Sequence, residues 1–141
     1  MNFPVKIMQD GLVARVARVA EIAAKHADAV DVEARFPREA VDAMKAERLL
    51  GIQVPRQFDG ESASITEIAE LCSMLGQACA ASAMVFAMHH IKLSSLVEHG
   101  ADSEWHGDFM RRIAAEQLLI ASATTEGGIG GNLRNSICAV E

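Results

Sequence analysis

Tyrosine is missing from the 141 residues, tryptophan occurs once, and aromatic side chains make up only 4% of the chain. Sheet-rich cores draw on aromatic and β-branched residues, so this scarcity, set beside a wealth of alanine, favours packed helices. Cysteine is sparse too. Cys72, Cys79 and Cys138 share no metal-ligand or disulfide spacing, which points to a reducing, cytoplasmic compartment. Positive charge is short: 13 Lys and Arg against 19 Asp and Glu leave a formal charge of −6. A nucleic-acid partner would want a basic stripe instead. Met1-Asn-Phe-Pro-Val-Lys6 holds no hydrophobic signal core, and no apolar run approaches ~18 residues. The expectation is a soluble chain with neither nucleic acid nor membrane as partner.

What is present is apolar and periodic. Half the residues are hydrophobic, enough at this length to bury a sizeable core in one domain. From Asp10 to about Val30, Leu12, Val16, Val19, Ala23, Ala27 and Val30 recur at three- and four-residue steps, the stripe of an amphipathic helix. Phe36-Pro37 opens a second, shorter helix, because proline suits a first helical turn; Val41 and Met44 are its buried side. It is expected to end near Leu49-Leu-Gly51, with the glycine as left-handed cap. Pro55 and Asp59-Gly60 then mark a loop.

Ser64-Ile-Thr-Glu67 matches a capping box and starts a third helix, with Ile65, Ile68, Ala69, Leu71, Cys72, Leu75 and Cys79 expected on one face. The two cysteines, two turns apart, suit core filling rather than metal. Ser82 to Glu98 is a fourth helix, apolar around its whole circumference near Ala83–Met88 and so expected at the centre. Yet it carries His89, His90 and Lys92, and polar groups on a buried helix must be hydrogen-bonded or face a cavity. Two readings stand. Either one histidine is a satisfied core residue and the other faces solvent, or one of them lines a ligand pocket. Side chains of adjacent helical residues point about 100° apart, so the pair is not expected to serve one site together.

Asp102 or Ser103 caps a fifth helix, with Trp105, Phe109, Ile113 and Ala114 expected on its buried side. The period then changes. Leu118–Thr124 reads as a strand and Ser136–Glu141 as a second one. Between them Thr124-Thr-Glu126 opens into four glycines within five residues. Such a loop brings bare N–H groups close to a flat or anionic ligand, although a plain turn between strands has the same look. Gly128-Ile-Gly130-Gly-Asn-Leu133 lacks the third glycine of a dinucleotide fingerprint, and no Gly-Lys-Ser/Thr follows to make a phosphate loop.

The order of these elements resembles the acyl-CoA dehydrogenase family. The carriers are Phe36-Pro37, Leu49-Leu-Gly-Ile-Gln-Val-Pro55 with Phe58-Asp-Gly60, the alanine-rich third and fourth helices, His99-Gly100 and Ala123-Thr-Thr-Glu126. The resemblance implies an all-α bundle of about five helices over residues 1–117, with residues 118–141 opening a middle β-domain of one or two short strands. It implies FAD as cofactor, with Thr125, Glu126 and Gly130 along the flavin, and α,β-dehydrogenation of an acyl-CoA thioester. An electron-transfer flavoprotein and a dimeric or tetrameric assembly of like chains follow as partners. Thr124, Gly131 and Asn132 depart from the pattern at an aliphatic, a hydroxyl and an aspartate position. The missing hydroxyl moves weight toward a flavin-dependent monooxygenase of the same fold, with His89 or His90 in its pocket. A third reading, from another class, is a non-catalytic helical assembly domain. In the family the catalytic carboxylate belongs to a C-terminal domain to which no residue here corresponds. The sequence is therefore expected to be part of a longer enzyme and inactive by itself.

Overall fold

A computed structural model of the chain describes residues 10–100 and 103–122. Among the described residues five α-helices carry the fold: α1 (Asp10–Val32), α2 (Arg38–Ala46), α3 (Ile65–Ala78), α4 (Ala80–His99) and α5 (Glu104–Glu116), with a 3-10 turn at Arg56–Phe58. The expected stripe on α1 is the buried one: Leu12, Val16, Val19, Ala23 and Val30 are almost wholly covered. Leu12, Val16, Val19 and Ala23 pack with Val41 and Met44 of α2, Leu71 and Leu75 of α3 and Phe86 of α4 into a first core. Each large aliphatic side chain so buried contributes about 1.5–3 kcal/mol. A second, smaller core joins Leu93 of α4 to Met110, Ile113 and Ala114 of α5, with Val54 and Phe58.

Helix ends follow their local chemistry. Ser64 accepts from the Glu67 N–H, and the Glu67 carboxylate takes the Ser64 N–H in return, which is the capping box read from the sequence. Ser103 caps α5. The end of α2 differs from expectation. The helix stops at Ala46, and Arg48, not Gly51, takes the left-handed conformation (φ 53°). The Arg48 N–H donates to Lys45 O and the Leu49 N–H to Met44 O, the paired bonds that close a helix through a left-handed residue. Gly51 has another reason to be glycine. A Cβ there would lie 2.7 Å from the Ala114 Cα, so α5 packs directly on the loop backbone.

Three other expectations change. Ile65 and Ala69 face solvent, and Glu67 is the buried residue of that turn because its carboxylate closes the cap. Trp105 is 68% exposed, stacked on Phe109, while Met110 fills the core in its place. Leu118–Ser122 forms no strand; among the described residues there is none. A strand needs a neighbour to pair with, and the Ile120 N–H is bonded instead to a side chain, Nδ1 of His89. Residues 123–141, with the second expected strand and the glycine loop, lie outside the described residues.

α4 is long and apolar enough to cross a membrane on length and composition alone, which the inspection of apolar runs did not anticipate. Its position is that of a core helix on one side: Ser82, Phe86, His89, His90 and Leu93 are buried against the rest of the fold. The opposite side, with Met84, Met88 and Ile91, is exposed.

Candidate functional site

The stretch after α2 is unusual for a loop because it is buried. Leu49, Leu50, Ile52 and Val54 are fully covered and Gln53 nearly so. Loops normally run over the surface, since a buried one carries main-chain groups that water cannot reach. Here side chains from three helices satisfy them. Arg15 of α1 donates to Glu47 O and Arg48 O, both at 2.8 Å, and forms a two-pronged pair with Glu61. Gln117, in a left-handed conformation at the end of α5, accepts from the Leu50 N–H at 3.0 Å and donates to Ala114 O. Arg48 donates to the same Ala114 carbonyl.

The two histidines of α4 complete the arrangement. His89 Nε2 lies 2.7 Å from Leu50 O, and its Nδ1 accepts the Ile120 N–H at 3.0 Å. His90 Nε2 lies 3.2 Å from Leu49 O and its Nδ1 3.3 Å from Gln53 Oε1. Both rings are fully buried, so neither faces solvent. Their 100° separation proves no obstacle, because the two imidazoles meet the carbonyls of two successive loop residues, His90 that of Leu49 and His89 that of Leu50. The rings meet edge to face, 4.8 Å between centroids. Burial disfavours the imidazolium in both. The His89 pKa falls for that reason, against the opposing effect of Leu50 O. His90 is pushed down to about 3 by burial and then by the neighbouring His89. A neutral imidazole holds one N–H and one lone pair. In His89 these match one acceptor and one donor. The single N–H of His90 faces two acceptors, Leu49 O and Gln53 Oε1, and serves one at a time.

Beside this buried layer runs an apolar cleft of about 310 Å³, walled by Phe36, Met84, Val85 and Met88 on one side and Leu119, Ile120, Ala121 and Ser122 on the other. None of these residues is charged. Flexible methionine side chains at the i and i+4 positions of α4 give a surface that adapts to apolar ligands of varied shape. Met84 and Met88 were not singled out from sequence. Their signal was present nonetheless: a helix apolar all round needs cover on both sides, and the fold supplies it on one. Neither imidazole opens onto the cleft; His89 reaches it through the Ile120 peptide. Thr125, Glu126 and Gly130 lie outside the described residues. A second cavity, of about 500 Å³, lies between the end of α1 and the α3–α4 junction. Its acidic Asp28 and Asp31 stand near Arg35, whose guanidinium is already held by Glu33 and Glu39. No group of three metal-ligating side chains occurs among the described residues.

Residues 8–117 match the family model for the N-terminal domain of acyl-CoA dehydrogenases. The chain belongs to the acyl-CoA dehydrogenase family. Curated relatives of this acyl-CoA dehydrogenase-family chain include the acryloyl-CoA reductase (NADH) of Anaerotignum propionicum, 29% identical over 94% of the chain and 34% of the relative. The cyclohex-1-ene-1-carbonyl-CoA dehydrogenase of Geobacter metallireducens is 29% identical over 74% of the chain and 27% of its own length. The 3-sulfinopropanoyl-CoA desulfinase of Paraburkholderia xenovorans is 26% identical over 70% of the chain and 24% of its own length. The chain thus spans about a quarter to a third of the length of these relatives. No solved structure matches it.

Proposed function

We propose that this chain is the N-terminal helical part of an FAD-dependent oxidoreductase that carries out α,β-dehydrogenation of an acyl-CoA thioester. The observation that carries the reading is the uncharged cleft between α4 and Leu119–Ser122, in a chain of this family. Its walls suit an acyl chain or a flat ring system and offer no cation for a pyrophosphate. The names of the three relatives above differ in reaction, as reductase, dehydrogenase and desulfinase, yet each contains a CoA derivative. That pattern supports the substrate class more firmly than the reaction.

In this proposal Phe36, Met84 and Met88 bind the acyl chain and exclude water from it, and the backbone of Leu119–Ser122 forms the facing wall. Thr125, Glu126 and Gly130, a few residues beyond that wall, are proposed to hold FAD. When bound, FAD supplies the hydride acceptor for the β-carbon. The base for the α-proton is assigned to no residue of this chain; Glu126 belongs to the flavin segment. An electron-transfer flavoprotein as electron acceptor and self-association of the whole protein form part of the same reading. The oxygen-activating alternative placed His89 or His90 in the pocket, and the hydrogen bonds of both imidazoles to the buried loop favour the dehydrogenase reading over it.

The test is anaerobic addition of butyryl-CoA to the whole, FAD-loaded protein. Bleaching of the oxidised flavin band by the thioester and not by butyrate is the expected result. A flavin that no CoA thioester bleaches would contradict the proposal.

A further inference from the structure

His89 bridges two backbone segments that lie far apart in sequence. Its Nε2 is 2.7 Å from Leu50 O and its Nδ1 takes the Ile120 N–H at 3.0 Å. Leu50 is gripped from the other side as well, through its N–H to Gln117 Oε1 at 3.0 Å. The stretch from Gln117 to Ile120 is therefore tied at both ends to a single buried residue, Leu50, at one end through the Gln117 side chain and at the other through the His89 imidazole. It has no strand partner among the described residues to position it otherwise, and it forms one wall of the apolar cleft. We infer that His89 is a positioning residue: a buried, neutral Nε2–H imidazole whose Nδ1 lone pair holds the Ile120 peptide and so sets the cleft wall against α4.

Burial supports the assignment. Protonating Nδ1 would remove the lone pair that Ile120 uses, and a fully covered ring disfavours that charge. His90, one residue on, has no such reach; its contacts are to Leu49 and Gln53. The two histidines thus divide the work, His90 holding the loop and His89 holding the loop and the wall together. This inference deepens the proposed function, because it makes the acyl-binding wall depend on one imidazole.

The hydrogen bond itself can be read in the wild-type chain without any variant. An N–H···N bond transmits a scalar coupling between the two nitrogens, so ¹⁵N-labelled protein should show one between the Ile120 amide and His89 Nδ1. Two substitutions then separate the imidazole's two roles. Asn places an amide group where Nδ1 stands and Gln places one where Nε2 stands, so His89→Asn keeps an acceptor for Ile120 and His89→Gln does not. The Ile120 amide should exchange about tenfold faster in His89→Gln than in His89→Asn, the ratio expected for one lost hydrogen bond. Octanoyl-CoA should bind the Gln variant more weakly than the Asn variant in the whole protein. A wild-type His89 with Nδ1 protonated, equal Ile120 exchange in the two variants, or equal octanoyl-CoA affinity would each overturn the inference. Should the wild type bind no thioester at all, the proposed function falls, and coupling and exchange alone decide the role of His89.

Discussion

The two sides of α4 invert the usual order of a globular protein. Its buried side is polar where it matters most, with both ring nitrogens of His89 engaged, and one N–H of His90 shared between two acceptors, at full burial. Its exposed side is apolar: Met84 is 62% exposed, Ile91 55% and Met88 41%. Scattered exposed apolar residues are ordinary, whereas a row of them on one helix face beside a cleft marks a surface for something else. The difference teaches that burial and hydrophobicity answer separate needs here. The inner face meets the hydrogen-bonding needs of a buried loop, and the outer face is the one we propose takes an apolar group.

The largest expected effect falls on the inner face through pH. His90 titrates near 3 in the folded chain and near its ordinary 6.5 when unfolded, so between these values the unfolded state binds more protons. Stability is then fully present above about 6.5 and is lost as pH falls toward 3, by at most on the order of 5 kcal/mol. Urea unfolding at stepped pH measures it. Glu39, which Arg35 holds down to about 2 through its hydrogen bonds, contributes in the same direction at lower pH. Stability that is unchanged between pH 6.5 and pH 4 would contradict a neutral, buried His90.

Next in size is truncation of the same ring. His90→Ala removes the one N–H that Leu49 O and Gln53 Oε1 share and opens a cavity beside Phe86, whose ring is 4.4 Å away between centroids. The expected loss is about 3 kcal/mol, read from the urea midpoint. Arg15→Met should cost less, about 1–2 kcal/mol, because it removes the donors to Glu47 O and Arg48 O while keeping most of the packing. The smallest change in stability belongs to the outer face. Met88→Ser should stay within about 0.5 kcal/mol of wild type, since the side chain belongs to neither core. A loss for Met88→Ser as large as for His90→Ala would erase the distinction between the faces.

Much of this was legible in the sequence, unevenly. The α1 stripe, the Ser64–Glu67 box and the Ser103 cap are local patterns, and each folds as read. The family resemblance rested on motifs along the chain and agrees with the match over residues 8–117. The misreadings share a cause. Gly51 is glycine because α5 lies on it, Trp105 is exposed because Met110 takes the inward position, and both histidines are buried because a loop forty residues earlier needs donors. Each depends on contacts between distant segments that periodicity does not register. The pairing could have been guessed at one point. Leu49-Leu-Gly-Ile-Gln-Val-Pro55 is too apolar for a surface loop, and a buried loop implies polar side chains elsewhere in the chain that come to meet it.

The central claim is that the outer face of α4 takes the acyl group while the inner face holds the fold. Binding of acetyl-, butyryl-, hexanoyl- and octanoyl-CoA to the whole protein, measured calorimetrically, tests it most directly. Each methylene that enters the cleft should tighten binding by about fourfold, the equivalent of roughly 0.8 kcal/mol. The Met84→Ser/Met88→Ser double variant should flatten that dependence with little change in melting temperature. Affinity independent of acyl length in the wild type, or the same dependence kept in the double variant, would contradict the account.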